Sequence, residues 1–296
     1  MSKSMAITLI ILLSILCFAV AGVMIFFLVN KNGFNFVFHF DGYSETLVEK
    51  KTFETINDIY VDSKNMDVLF ENTSDDKITV ELYSEKEEEH TFTENEEKIT
   101  IKAEIKNHGW VFMQKASRLI IKIPNTFEND LIVESGVGDI KFENLPNITT
   151  SIKVGTGDVK IDELNKVTAT IGVGDFKAEK VKIANIIIGT GDIKISNIDV
   201  IEATSGIGDI KITNLNNKCT IDSSTGDVKI ETATITEESS ISNKTGDVKI
   251  RSLSGAYVDA KTNIGDTKVN NSEEDRKSDI VLKINNNIGD IKVNYN

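Results

Sequence analysis

The chain has 296 residues with 19 Gly, 2 Pro, 2 Cys and a formal net charge of −13. That length suits one large domain or two small ones, and two cysteines can build neither a disulfide framework nor a metal cluster. The acidic balance argues against nucleic acid, whose phosphates are bound by clustered Lys and Arg.

The first element is a membrane span. Met5 to Val29 carries no charge and is almost wholly apolar, and about 20 such residues cross a bilayer as a helix. Ala19-Val20-Ala21 has the form of a signal-peptidase site, but cleavage there would leave an apolar new terminus. Leu16 before Cys17 is too bulky for a lipoprotein signal. An uncleaved anchor over residues 1–30 is therefore expected. A short cytoplasmic tail and an extracellular C-terminal domain follow as the expected orientation, although Lys3 and Lys31 give only a slight positive-inside bias.

Phe34, Phe36, Phe38 and Phe40 alternate next to this span. They either rest at the membrane interface or form a first buried strand. Residues 31–130 form a membrane-proximal acidic β-region carrying −9, against −5 for residues 131–296. The run Glu85, Glu87, Glu88, Glu89, Glu94, Glu96 and Glu97 reads as a solvated hairpin tip. The stretch 107–114, with the one Trp, is either an aromatic platform for sugar or a plug over the end of a β-helix.

From residue 131 an internal repeat dominates. Gly-Asp-x-Lys recurs nine times, at Gly138-Asp139, Gly157-Asp158, Gly174-Asp175, Gly191-Asp192, Gly208-Asp209, Gly226-Asp227, Gly246-Asp247, Gly265-Asp266 and Gly289-Asp290. Two and four residues after each Gly, and five before it, the side chain is apolar or small in nearly every copy, as in Ile193, Ile195 and Ile186 around Gly191. Apolar positions two apart mean strands with one buried face, and Gly-Asp between them marks a tight turn. Another Gly stands two residues earlier in five copies (Gly136, Gly155, Gly172, Gly189, Gly206), a place that tolerates glycine without demanding it.

Units of this size cannot bury an apolar face alone, so they must stack. The expected fold is all-β: a parallel β-helix (β-solenoid) of about nine coils, preceded by irregular strands and the N-terminal transmembrane helix. Nine coils at the inter-strand spacing make a rod of roughly 40 Å. The chain stops on its last repeat, which predicts an open edge at Ile291–Asn296, free to dimerise or blunted by the polar insertion at 271–279.

Two ladders follow from the stacking. The nine Asp read as turn residues bonding their own turn's amides. A Ca²⁺ stack is disfavoured because each Asp has a Lys two residues on. Those lysines, Lys141, Lys160, Lys177, Lys194, Lys211, Lys229, Lys249, Lys268 and Lys292, would line one outer edge. Either the Asp ladder neutralises them, or they contact a linear polyanion of the envelope such as teichoic acid or anionic lipid. No metal, cofactor or catalytic residue is expected: His39, His90 and His108 lie outside the repeat with no nucleophile motif beside them.

Leu119–Pro124 leading into Leu131-Ile-Val-Glu-Ser-Gly-Val-Gly-Asp-Ile140 and the further Gly-Asp-Ile/Val-Lys units resemble the bacterial putative-adhesin family, which includes LiaG-like envelope proteins. The resemblance covers roughly residues 50–296. It implies a β-solenoid at the cell envelope and a link to envelope-stress signalling, with no catalytic residues to carry over. The expected function is a membrane-anchored, non-enzymatic binding module for an envelope polymer or protein. The alternatives are an accessory regulator that acts on a membrane signalling partner through its span, and a carbohydrate-active enzyme.

Overall fold

The computed structural model describes residues 42–54, 58–85, 88–96, 98–106, 116–270 and 278–296. The expected span, the aromatic run at 34–40 and the plug at 107–114 lie outside the described residues. So does most of the insertion, residues 271–277. Among the described residues there are 21 strands and no helix, so none is long and apolar enough to cross a membrane.

The repeat builds coils that stack in register. Phe176–Thr190 and Ile193–Ile207 pair in parallel along their whole length, with Phe176 beside Ile193 and Ala184 beside Ile201. In-register stacking places the same kind of side chain at the same point of successive coils. Two residues after the turn Gly, Ile140, Val159, Phe176, Ile193, Ile210, Val228, Val248 and Ile291 are all fully buried. They form one column of a single core with the inward residues of the opposite wall, such as Ile186 and Ile241. The period of two in the sequence becomes a continuous apolar interior, and burial at about 25 cal/mol per Å² drives the stacking.

The ladder also runs back past residue 131. Asp58–Ser63 and Asp67–Thr73 stack directly on Leu131–Val137 and Ile140–Glu143. Phe70 and Phe142, at equivalent points of these adjacent coils, have ring centroids 4.6 Å apart with nearly parallel planes. Asp67 thus stands in a tenth turn, with Met66 where the other turns have Gly.

Spatial order departs from chain order at both ends. Near the N-terminal end, the coil 58–73 sits between Lys98–Ile105 with Arg118–Pro124 on one side and the coil 131–143 on the other. At the far end, Val281–Ile288 and Ile291–Tyr295 insert between the coil 239–254 and the coil 257–269. The expected open edge at Ile291–Asn296 is therefore corrected: that coil has a neighbour on each side, and among the described residues the eighth copy is the outermost. This explains why the eighth copy alone carries Thr267 in the first inward column, and why Thr267 is exposed where its equivalents are buried.

The other end is closed by antiparallel strands. Ile78–Tyr83 pairs with Arg118–Pro124, Leu47–Phe53 pairs with Ile78–Tyr83, and Glu88–Glu94 pairs with Lys98–Ile105. The acidic run is accordingly not a tip alone. Glu88, Glu89 and Glu94 lie within a paired strand, whose inward Phe92 is buried.

Candidate functional site

Three side-chain ladders run along the corner where each coil turns. The nine turn glycines all have φ between +130° and +146°, a region L-residues rarely adopt. The five earlier glycines have a packing reason that the sequence pattern does not carry. A Cβ on Gly189 would lie 2.6 Å from the carbonyl oxygen of Gly172. Ser224, Lys244, Asn263 and Asn287 hold the same place in other copies, so the close approach belongs to one stretch of the stack.

The Asp ladder differs from expectation. Each carboxylate but that of the last, Asp266, accepts the backbone N–H of the Asp in the next coil, not an amide of its own turn. The bonds run from Asp139 N–H to Asp67, then 158 to 139 and onward to 266 on 290, at 2.7–3.0 Å. Turns stacked at the strand spacing leave each amide facing the carboxylate below it, so the side chain ties coil to coil. Tyr43 donates its hydroxyl to Asp67 at the start of this line.

Stacked carboxylates repel, and the effect shows where burial adds to it. Burial raises the Asp139 carboxyl to about 6, with the charges of Asp67 and Asp158 adding to the rise and the Asp158 amide opposing it. The native state then binds more protons than the unfolded chain between the ordinary carboxylate value and pH 6. This group therefore adds stability as pH falls through that window, and costs stability above it. Asp139→Asn keeps the acceptor for the Asp158 N–H while removing the charge. It is expected to raise stability at pH 7 by ~1 kcal/mol after solvent screening. Denaturant titrations at pH 7 and pH 5 should show the variant gaining less than the parent on acidification.

The structure brings all nine lysines into one register. Lys141, Lys160, Lys177, Lys194, Lys211, Lys229 and Lys249 are paired coil to coil, followed by Lys292 and then Lys268. Several are ion-paired. Lys177 and Lys194 reach the aspartates of their own turns at 3.2 and 3.0 Å, Lys229 reaches Glu231 at 3.2 Å, and Lys141 bonds Glu143. Neutralisation by the Asp ladder is thus partial, and the column beyond the lysines matters as well.

A third ladder was not foreseen. The residue before each turn Gly is exposed and uncharged: Val137, Thr156, Val173, Thr190, Ile207, Thr225, Thr245, Ile288 and Ile264 in stack order. Val173 and Ile207 are 52% and 58% exposed. Its signal was the unbroken β-branched column in the aligned copies.

Groups suited to catalysis are sparse among the described residues. His90 Nε2 lies 2.5 Å from Glu49 Oε2, beside an open cavity of about 310 Å³ lined by Asp62, Lys64, Glu89, Lys102 and Glu104. Burial pushes the Cys219 thiol up to about 12, which leaves it a poor nucleophile. No group of three His, Cys, Asp or Glu side chains among the described residues is placed to hold a metal. His39 and His108 lie outside the described residues.

The coil, its turn and its in-register stack find a counterpart in one family, whose profile matches residues 56–294. The chain belongs to the Toastrack DUF4097 family. Solved structures similar to this Toastrack chain include a "putative adhesin" from Bacteroides fragilis, 17% identical with a TM-score of 0.45, covering 84% of this chain and 97% of that one. A "putative lipid binding protein" from Parabacteroides distasonis is 12% identical with a TM-score of 0.44, covering 84% and 98%. A "putative adhesin" from Parabacteroides merdae is 12% identical with a TM-score of 0.42, covering 85% and 98%. No curated protein matches the chain.

Proposed function

We propose that this chain is a membrane-anchored, non-enzymatic protein of the cell envelope, whose Toastrack coils bind a linear anionic polymer. The observation that carries the reading is the in-register ladder of nine lysines on a scaffold that repeats every coil. A rigid stack holds the lysine backbones about 4.8 Å apart before any ligand arrives, so binding has only the side chains left to order. A polymer with regularly placed phosphates meets many weak contacts at once, and their sum is multivalent even though each exposed pair is worth little. The uncharged run Met5–Val29 supports the anchor.

Full-length protein carrying Lys194→Gln, Lys211→Gln, Lys229→Gln and Lys249→Gln tests the reading against purified teichoic acid. Affinity is expected to fall at least tenfold, and the parent's affinity to drop steeply with added salt. Unchanged binding by the quadruple variant would overturn it.

A further inference from the structure

The lysine ladder has two unlike halves, because the neighbouring outward column changes along the stack. Two residues beyond each Lys, the first three coils carry Glu143, Asp162 and Glu179. From the fourth coil onward the same place holds Ser196, Thr213, Glu231, Arg251, Asn294 and Asn270 in stack order. By position, each of the first three lysines is therefore matched by one acid in that column. Over the last six coils the two columns hold seven cations and the single acid Glu231.

Turn aspartates pair with lysines in both halves, Lys177 with Asp175 at 3.2 Å and Lys194 with Asp192 at 3.0 Å, and the division shows in the outer column. In the first half, Lys141 bonds Glu143. In the second, Glu231 is shared by Lys229 at 3.2 Å and Arg251 at 3.0 Å. Arg251 stays about half exposed and Lys268 more so, at 52% and 72% of their side chains. Burial works to raise the Glu231 carboxyl, but the Lys229 hydrogen bond and the charges of Arg251, Lys229 and Lys211 outweigh it and hold it below its ordinary value.

We propose that the polyanion site is confined to the distal half of the ladder, a strip formed by Lys194, Lys211, Lys229, Lys249, Arg251, Lys292 and Lys268, and that it takes a linear phosphate polymer lying along the stack axis. Six coils at the inter-strand spacing make this strip about 24 Å long. That is long enough for several consecutive phosphates and narrow enough to admit one chain. The proximal half repels such a chain through its acidic column, so the ligand has a fixed end on the rod. The turn aspartates flank the lysines in both halves and offset part of their charge, so what distinguishes the distal strip is the column beyond the lysines, which carries one acid there and three over the first three coils.

This inference rests on the polyanion reading above, and its test separates the two. Full-length protein in nanodiscs of zwitterionic lipid is titrated with inorganic polyphosphate. A distal variant carries Lys249→Gln, Arg251→Gln and Lys292→Gln; a proximal variant carries Lys141→Gln, Lys160→Gln and Lys177→Gln. The distal variant is expected to bind at least tenfold more weakly, and the proximal variant within twofold of the parent. Asn294→Glu, which rebuilds the proximal acid in the distal half without touching a lysine, is expected to weaken binding several-fold and guards against a triple variant that fails to fold. Equal losses in both triple variants would overturn the polarity and leave the polyanion reading standing. Absence of binding by the parent would overturn both. Parent protein that ignores polyphosphate yet binds phosphatidylglycerol vesicles would assign the strip to a membrane surface and overturn the polymer.

Discussion

Gly191→Ala is expected to destabilise the protein by ~4 kcal/mol or more, among the largest effects a single methyl group can have. Two causes add. The backbone sits at φ +141°, which an alanine adopts only at a cost of about 1–3 kcal/mol. In addition, the new Cβ would fall 1.9 Å from the carbonyl oxygen of Gly174 in the coil below. That oxygen belongs to stacked backbone and cannot swing aside as a side-chain tip could. Relief requires the two coils to part, and Gly191 N–H donates to the Ile207 oxygen at 2.8 Å, so the ladder above is disturbed as well. Thr190→Ala, one residue away and exposed, is the control and should change stability by no more than ~0.5 kcal/mol. Chemical denaturation of the two variants checks this. A Gly191→Ala protein within about 1 kcal/mol of its parent would mean that the coils do not pack as closely as described.

The second large effect concerns the end of the stack. Deleting residues 281–296 removes a coil whose Leu282, Ile284, Ile291 and Val293 are fully buried. At ~1.5 kcal/mol or more for each side chain, the loss is on the order of 6 kcal/mol. The informative outcome lies in residues that remain. Tyr257–Ile264 and Thr267–Val269 have their parallel partners only in the deleted coil, among the described residues. Amide exchange is therefore expected to accelerate across 257–269, while 159–225 keeps its protection because solenoid coils depend chiefly on their nearest neighbours. Persistent protection at 257–269 would show that this coil can move down onto 239–254, and would refute its dependence on the deleted segment.

Most of the architecture was legible because it is periodic. Apolar positions at fixed offsets from Gly-Asp named the inward columns, and the structure buries them in eight of nine copies. The tenth turn was missed because Met66 and Leu69 stand where the motif has Gly and Lys. Asp67, Val68 and Phe70 kept only the parts of the pattern that face the core and the next coil. Stacking order was not legible, since interchangeable repeats carry no address. Thr267 was the one local sign that a copy lay at an end. The lysine ladder could be read directly, but its two halves could not, because their difference depends on which columns share a face. The direction of the Asp bonds was missed for a related reason: a turn considered alone offers its own amides, and only the stack offers the next one.

The exchanged order of the last two coils also bears on how the protein is made. As the chain leaves the ribosome, residues 257–269 emerge before the segment that must lie between them and the growing rod. They have no finished surface to join until Val281–Tyr295 is released. Assembly of this end therefore waits for Val281–Tyr295, and its last step is an insertion, not an addition. A nascent chain stalled before residue 281 would hold a rod ending at 239–254, with the next coil still unattached.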